Sequence, residues 1–264
     1  MSSRALPALP AARRIPVTGG VIEVLEGRPS DPGSTGIVLL NAAGGTRLGW
    51  ARTFGSLAAL GRVVAISRFG TDGSSRPRGP QHGLAVVDAV REVIRAIDMP
   101  GPVVLVGHSL GGLFVNLHAR RYPDEVVGVV FLDAAHPADQ ALAVMRPGWV
   151  RALGGLLAWA PGGASSVDEV AHVPETCRQV EAAGPFPAVP VAVVTGGRTP
   201  PAWLMPPAAA ALRRANQEAL AALSPTSTHI IAARSGHLPQ LSEPEITVDA
   251  VAWVVARAHQ VSRG

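Results

Sequence analysis

Six short runs of apolar, mostly β-branched residues recur along this chain, at 37–40, 62–66, 103–106, 126–132, 189–194 and 229–232. A run that is apolar at successive positions has no wet face, so each suits a strand covered on both sides. The fifth is interrupted by Pro190 near its start. Between the runs lie stretches with helical spacing, at 84–97, 112–121, 208–223 and 246–256. In the first of these, Leu84, Val87, Val90, Ile94 and Ile97 share one stripe. Such alternation predicts an α/β fold, a doubly wound and mostly parallel sheet flanked by helices. Near the start, residues 15–17 and 21–25 flank Gly19-Gly20 and predict a hairpin.

One interval breaks the rhythm. Residues 134–188 are too many for a simple crossover and are rich in Gly and Pro. They predict a small helical lid inserted after strand 6, with helices near 140–159 and 167–183. The core would then be residues 1–133 and 189–264. No internal repeat is present, and Ala208-Ala209-Ala210-Ala211 is the one biased tract.

Composition narrows the function classes. With 47% apolar and 16% charged residues over 264 positions, the chain is not disordered and can bury a sizeable core. Its 23 cationic residues are all Arg and exceed the acidic ones by only four. They are scattered, apart from Arg13-Arg14, Arg120-Arg121 and Arg213-Arg214, which read as solvated positions. A nucleic-acid partner needs basic residues clustered on one face and is not expected. The single cysteine, Cys177, excludes an internal disulfide and a Cys-based zinc site; it is expected to pack in the lid as a small apolar residue. No metal or cofactor is called for. No run of 18 apolar residues exists, so no membrane span is expected. The first ten residues lack the pattern of a signal peptide and read as a short flexible leader, which points to a cytoplasmic chain.

The sharpest motif is Gly107-His108-Ser109-Leu110-Gly111-Gly112, set between the third run and the second helical stretch. A serine hydroxyl is a weak nucleophile by itself. A tight strand-to-helix turn exposes its oxygen at the sheet edge, and the glycines let neighbouring backbone pass. The helix that follows offers backbone N–H donors.

On these residues the chain resembles the α/β-hydrolase superfamily, specifically its serine esterase and lipase-like members. The likeness runs over roughly residues 15–256. Ser109 takes the nucleophile position. Leu40-Asn41-Ala42-Ala43-Gly44-Gly45 sits where the family has a His-Gly oxyanion loop, with Asn41 in place of the usual His. Arg68-Phe69-Gly70 with Gly73-Ser74 resembles the family's Asp-Arg-Pro-Gly loop, with Ser67 in place of the usual Asp and Asp72 where Gly is common. Asp133-Ala134-Ala135-His136-Pro137 resembles a stretch that one subgroup carries after the sixth strand. Ser235-Gly236-His237 follows the last strand.

The resemblance implies a set of site residues. His237 is the expected base, since it matches the chain order Ser, acid, His. His136 is the competitor, because it should reach the same sheet edge. His108 is expected beneath the turn, near enough to the substrate to count as a binding residue, and His118 is expected to be structural. The loop after the seventh strand, residues 195–200, holds no carboxylate. Asp133, after the sixth strand, is therefore the expected acid, against a structural role in capping the next helix. The oxyanion donors would be the backbone N–H groups of Leu110 and Ala43, with Ala42 as the alternative.

The implied reaction is hydrolysis of a carboxylic ester, or a lactone or thioester, through an acyl-enzyme on Ser109. The substrate would be a small molecule with an apolar acyl or alcohol group. Met145, Trp149, Leu153 and Trp159 in the lid, Trp203 after the seventh strand, and Ala42 are the candidate substrate contacts. Relatives on this fold also include lyases, acyltransferases, cofactor-free oxygenases and small-molecule binding proteins, and these stand as the alternatives.

Overall fold

A computed structural model describes residues 8–28, 34–145 and 169–261. Eight strands form one sheet in the order β1-β2-β4-β3-β5-β6-β7-β8. The hairpin is β1 (Ala12–Val17) and β2 (Gly20–Gly27), whose register centres on Ile15 opposite Ile22. β2 runs antiparallel to β4 (Arg62–Ser67). Every other pairing is parallel, through β3 (Gly36–Leu40), β5 (Val103–His108), β6 (Val126–Leu132), β7 (Val191–Gly196) and β8 (Ser227–Ala232).

The all-apolar runs divide by alternate residues between two cores. Val38, Leu40, Leu105, Val129 and Phe131 face helices α2 (Gly83–Ala96) and α3 (Gly111–Arg121). Ile37, Leu39, Val104, Val130 and Leu132 face α1 (Phe54–Leu60) on the other side. Each fully buried side chain of this size contributes roughly 1.5–3 kcal/mol over its exposed state. Further along are α4 (Gln140–Met145), α5 (Val173–Ala182), α6 (Pro207–Ala221), the short α7 (Pro239–Ser242) and α8 (Pro244–Val261). α5 adds Cys177 and Val180 to the first core, and α8 adds Val251 and Val254 to the second.

Three differences from the sequence reading stand out. β7 starts at Val191, because Pro190 has no N–H for a ladder and only its carbonyl is used, accepting from Val129 N at 3.0 Å. α1 was not expected: it is seven residues long, contains Gly55 and has too few turns for a stripe to show. Of the two helices expected in 134–188, the described residues contain α4 and α5, and residues 146–168 lie outside them. Among the described residues no helix is long and apolar enough to cross a membrane.

Candidate active site

The C-terminal ends of β5, β6 and β7 and the loop after β8 bring the motif residues together. Ser109 directly follows β5 and is held at φ 52°, a left-handed conformation unfavourable for a side chain with a Cβ. Neighbouring backbone holds it there: its N–H donates to Leu132 O at 3.1 Å, and its carbonyl accepts from Gly112 N and Ala135 N, both at 2.9 Å. The turn requires glycine on both sides. A Cβ on Gly107 would lie 2.6 Å from Gly111 O, and one on Gly111 would collide with the Leu40 carbonyl.

Asp133 occupies the matching place after β6, also left-handed at φ 43°. Its carboxylate is 1% exposed and fully engaged. Oδ1 accepts from Gly196 N at 3.0 Å, and Oδ2 lies 2.6 Å from His237 Nδ1 and pairs with the Arg213 guanidinium. Burial alone would raise this carboxyl's pKa. The His237 hydrogen bond, the Arg213 charge and the Gly196 N–H outweigh burial and hold it below the ordinary value. The other ring nitrogen of His237, Nε2, lies 2.9 Å from Ser109 Oγ. Serine, imidazole and carboxylate thus form one continuous hydrogen-bonded line.

The competitor histidine is occupied otherwise. His136 Nδ1 accepts from Ala138 N at 3.1 Å, while its own N–H donates to Asp139, so it caps the turn that leads into α4. His108 is buried, and its ring packs 5.0 Å from that of His237. His118 is buried and faces Glu125 at 3.3 Å.

A cavity of about 490 Å³ opens over Ser109. Ala43, Leu110 and His237 line its reactive side, and Leu113, Leu142, Val170, Val173 and Cys177 make its apolar wall. His136, Asp139, Gln140 and Arg213 supply polar groups. In the loop after β3, the N–H groups are nearly all committed. That of Ala42 donates to Asn41 Oδ1 at 3.2 Å, that of Gly44 to Glu169 Oε2 at 3.1 Å, and that of Gly45 to Ala42 O at 3.0 Å. The N–H groups of Ala43 and Leu110 meet no acceptor among the described residues, and both residues line the cavity. Asn41, standing where the family has His, holds this loop through its side chain, with Nδ2 donating to Thr46 O at 2.6 Å. Asp72 supplies the carboxylate that Ser67 lacks: Ser67 Oγ donates to it at 2.6 Å and Arg47 N at 2.8 Å.

Several candidate contacts fall elsewhere. Ala42 and His108 do not line the cavity. Trp203 is 62% exposed and is also absent from its wall. The Pro200-Pro201 turn, with Leu204 N and Met205 N both donating to Pro201 O, carries the indole outward. Trp149, Leu153 and Trp159 lie outside the described residues, as does the side chain of Met145. Two residues that matter escaped the sequence reading. Arg213, half of a pair read as solvated, lies against Asp133 in the cavity. Glu169 is buried against Arg68. Among the described residues no group of three or more His, Cys, Asp or Glu is arranged to hold a metal ion.

Comparison with known proteins agrees with this architecture. Residues 37–250 match the alpha/beta hydrolase family. A stretch of 133 residues is 32% identical to the 1-acylglycerol-3-phosphate O-acyltransferase ABHD5 of Homo sapiens, covering 47% of this chain and 37% of that protein. The leading curated relatives are matched over 14% to 37% of their own length. Among solved structures, the enol-lactonase from Burkholderia xenovorans is similar over 92% of this chain and 100% of its own, with a TM-score of 0.66 and 18% identity. A haloalkane dehalogenase variant from Bradyrhizobium elkanii is similar over 96% and 98%, with a TM-score of 0.70 and 18% identity. At such identities the structural likeness concerns the fold.

Proposed function

The chain belongs to the alpha/beta hydrolase family, and on that premise we propose that it is a serine hydrolase cleaving a carboxylic ester, or a lactone or thioester, with an apolar acyl or alcohol part. The observation that carries this reading is the line from Ser109 Oγ through His237 to Asp133 Oδ2. Ser109 Oγ attacks the substrate carbonyl carbon as His237 Nε2 takes its proton. Asp133 accepts from the His237 Nδ1–H, fixing the tautomer and stabilising the imidazolium. The N–H groups of Leu110 and Ala43 receive the charge that develops on the carbonyl oxygen, where one such donor is typically worth about 3 kcal/mol. The tetrahedral intermediate collapses, and the leaving alcohol takes the proton from His237. Water then attacks the acyl-enzyme and gives its proton to His237. The acid departs, and Ser109 recovers its proton.

The apolar wall of Leu113, Leu142, Val170 and Val173 supports an apolar acyl or alcohol group. Three of these four side chains come from the 134–188 interval, which supports its reading as a lid. The partial match to an acyltransferase favours one second reading, in which an alcohol instead of water accepts the acyl group from Ser109.

Labelling with a fluorophosphonate probe, followed by an ester panel of graded acyl length with Ser109→Ala as control, tests the proposal. Ser109 is expected to label, and turnover is expected to vanish in the control. Absence of both labelling and ester turnover in the unmodified chain would sink it. Labelling without hydrolysis, with acyl transfer to an added alcohol, would favour the second reading.

A further inference from the structure

Behind the loop after β3 lies an ion pair almost sealed from water. Arg68 is 3% exposed and Glu169 is 1% exposed. Arg68 Nε donates to Glu169 Oε1 at 2.5 Å, and Nη2 donates to Oε2 at 2.9 Å. The two residues are 101 positions apart in the sequence.

Burying two charges is costly, and well-packed apolar residues often serve stability as well or better. Stability alone therefore does not account for this pair. Its remaining contacts all fall on one loop. Arg68 Nη1 donates to Asn41 O at 2.9 Å and Nη2 to Ala42 O at 2.7 Å. Glu169 Oε2 accepts from Gly44 N at 3.1 Å. The guanidinium also lies over the ring of Phe114, 5.1 Å from its centroid, in the helix that follows Ser109. The pair thus grips residues 41, 42 and 44, on both sides of Ala43, and ties them to the nucleophile's helix.

We propose that Arg68 and Glu169 are positioning residues that fix the direction of the Ala43 N–H toward the reacting carbonyl oxygen. Glu169 makes that setting depend on the docking of its own segment against the sheet. The inference rests on the reading of Ser109 as nucleophile and deepens it. Neither residue touches the substrate. Their effect belongs in the transition state, where the oxygen carries charge, and not in ground-state binding.

Two variants test this. Glu169→Gln keeps the shape and one acceptor but removes the charge. The double replacement Arg68→Met with Glu169→Leu removes both charges and avoids leaving one buried and unpaired. In the double variant, kcat is expected to fall about 100-fold with KM within threefold, while the thermal midpoint stays within a few degrees. Amide hydrogen exchange at Gly45, whose N–H donates to Ala42 O within the loop, is expected to rise at least tenfold. Glu169→Gln is expected to show the same changes to a smaller degree. A folded double variant with kcat and loop exchange within threefold of the unmodified chain would overturn the proposal. So would failure of both variants to fold, which would make the pair structural. Amide exchange needs no turnover. If the unmodified chain cleaves no ester, the proposed activity fails, yet exchange at Gly45 still decides whether the pair sets the loop.

Discussion

His108 Nε2 donates to the main-chain carbonyl of His237 at 2.7 Å, so the residue preceding Ser109 holds the loop that carries the His237 imidazole. The bond also fixes the tautomer of His108, whose Nδ1 is buried and has no partner among the described residues. Burial, then the adjacent His237, lower the pKa of His108 to about 4. An uncharged ring at this place does not oppose the positive charge that His237 takes up in the proposed reaction.

His108 makes stability depend on pH, and His118 does the same, its pKa lowered by burial to about 4. Both folded values lie below the ordinary 6.5. The unfolded chain therefore takes up these protons first as pH falls. The contribution of these two residues to stability is expected to be flat above about 6.5, to decline between 6.5 and 4, and to level off below, by up to on the order of 3 kcal/mol for each residue. Urea unfolding at a series of pH values checks this. His118→Gln should remove part of the decline, and an unchanged slope in that variant would contradict the assignment.

Ser109 holds its left-handed backbone at a cost that glycine would not bear. Ser109→Gly is expected to abolish ester turnover and to raise stability by about 1 kcal/mol. Calorimetry on the two proteins decides it; a lower thermal midpoint in the variant would show that the hydroxyl contributes more than the strain removes.

Asp133→Asn keeps the volume of the acid but offers an amide to the His237 ring. The wrong tautomer would then face Ser109, and kcat is expected to drop by about 10⁴ with the fold intact. Near-normal kcat in a folded Asp133→Asn protein would move the acid role to another residue.

Gly196 ends β7 directly against Gly236, and a Cβ on it would collide with the Gly236 carbonyl, which cannot yield as a flexible side chain can. Gly196→Ala is expected to displace the loop bearing His237 and the N–H that holds Asp133. A loss of at least tenfold in kcat/KM should accompany a lower thermal midpoint, measured by steady-state kinetics and thermal melts. Unchanged kinetics would show that the loop adapts without moving the imidazole.

The strands and the nucleophile turn were legible because their causes are local. Covered strands need apolar residues on both faces, and a tight turn at Ser109 needs Gly107 and Gly111 beside it. The contacts around the candidate site are tertiary, with no such mark. Arg213 reads like any helix-surface arginine, and only the packing of α6 brings it against Asp133. Glu169 reads as one more acidic residue at the start of the helix expected near 167–183, and its partner is 101 positions away. Trp203 misled in the opposite sense: adjacency to a strand end placed it near the site, but two prolines turn the chain away. The choice between Ala42 and Ala43 could not be read from spacing. The proposal of Ala43 rests on the Asn41 side chain, which takes the Ala42 N–H.

The register of the parallel strands has a consequence for how this protein acquires activity. β5 and β6 pair up to His108 opposite Leu132, and β6 pairs with β7 through Leu132 opposite Val194. Ser109 and Asp133 are the next residues after those last rungs. A slip of one residue would part nucleophile from acid and turn every strand side chain to the wrong core. These pairings are long-range, and such contacts form late and slowly in refolding chains. Return of the proposed esterase activity after denaturant dilution would thus serve as a clock for closure of the central sheet, lagging behind the recovery of helical signal.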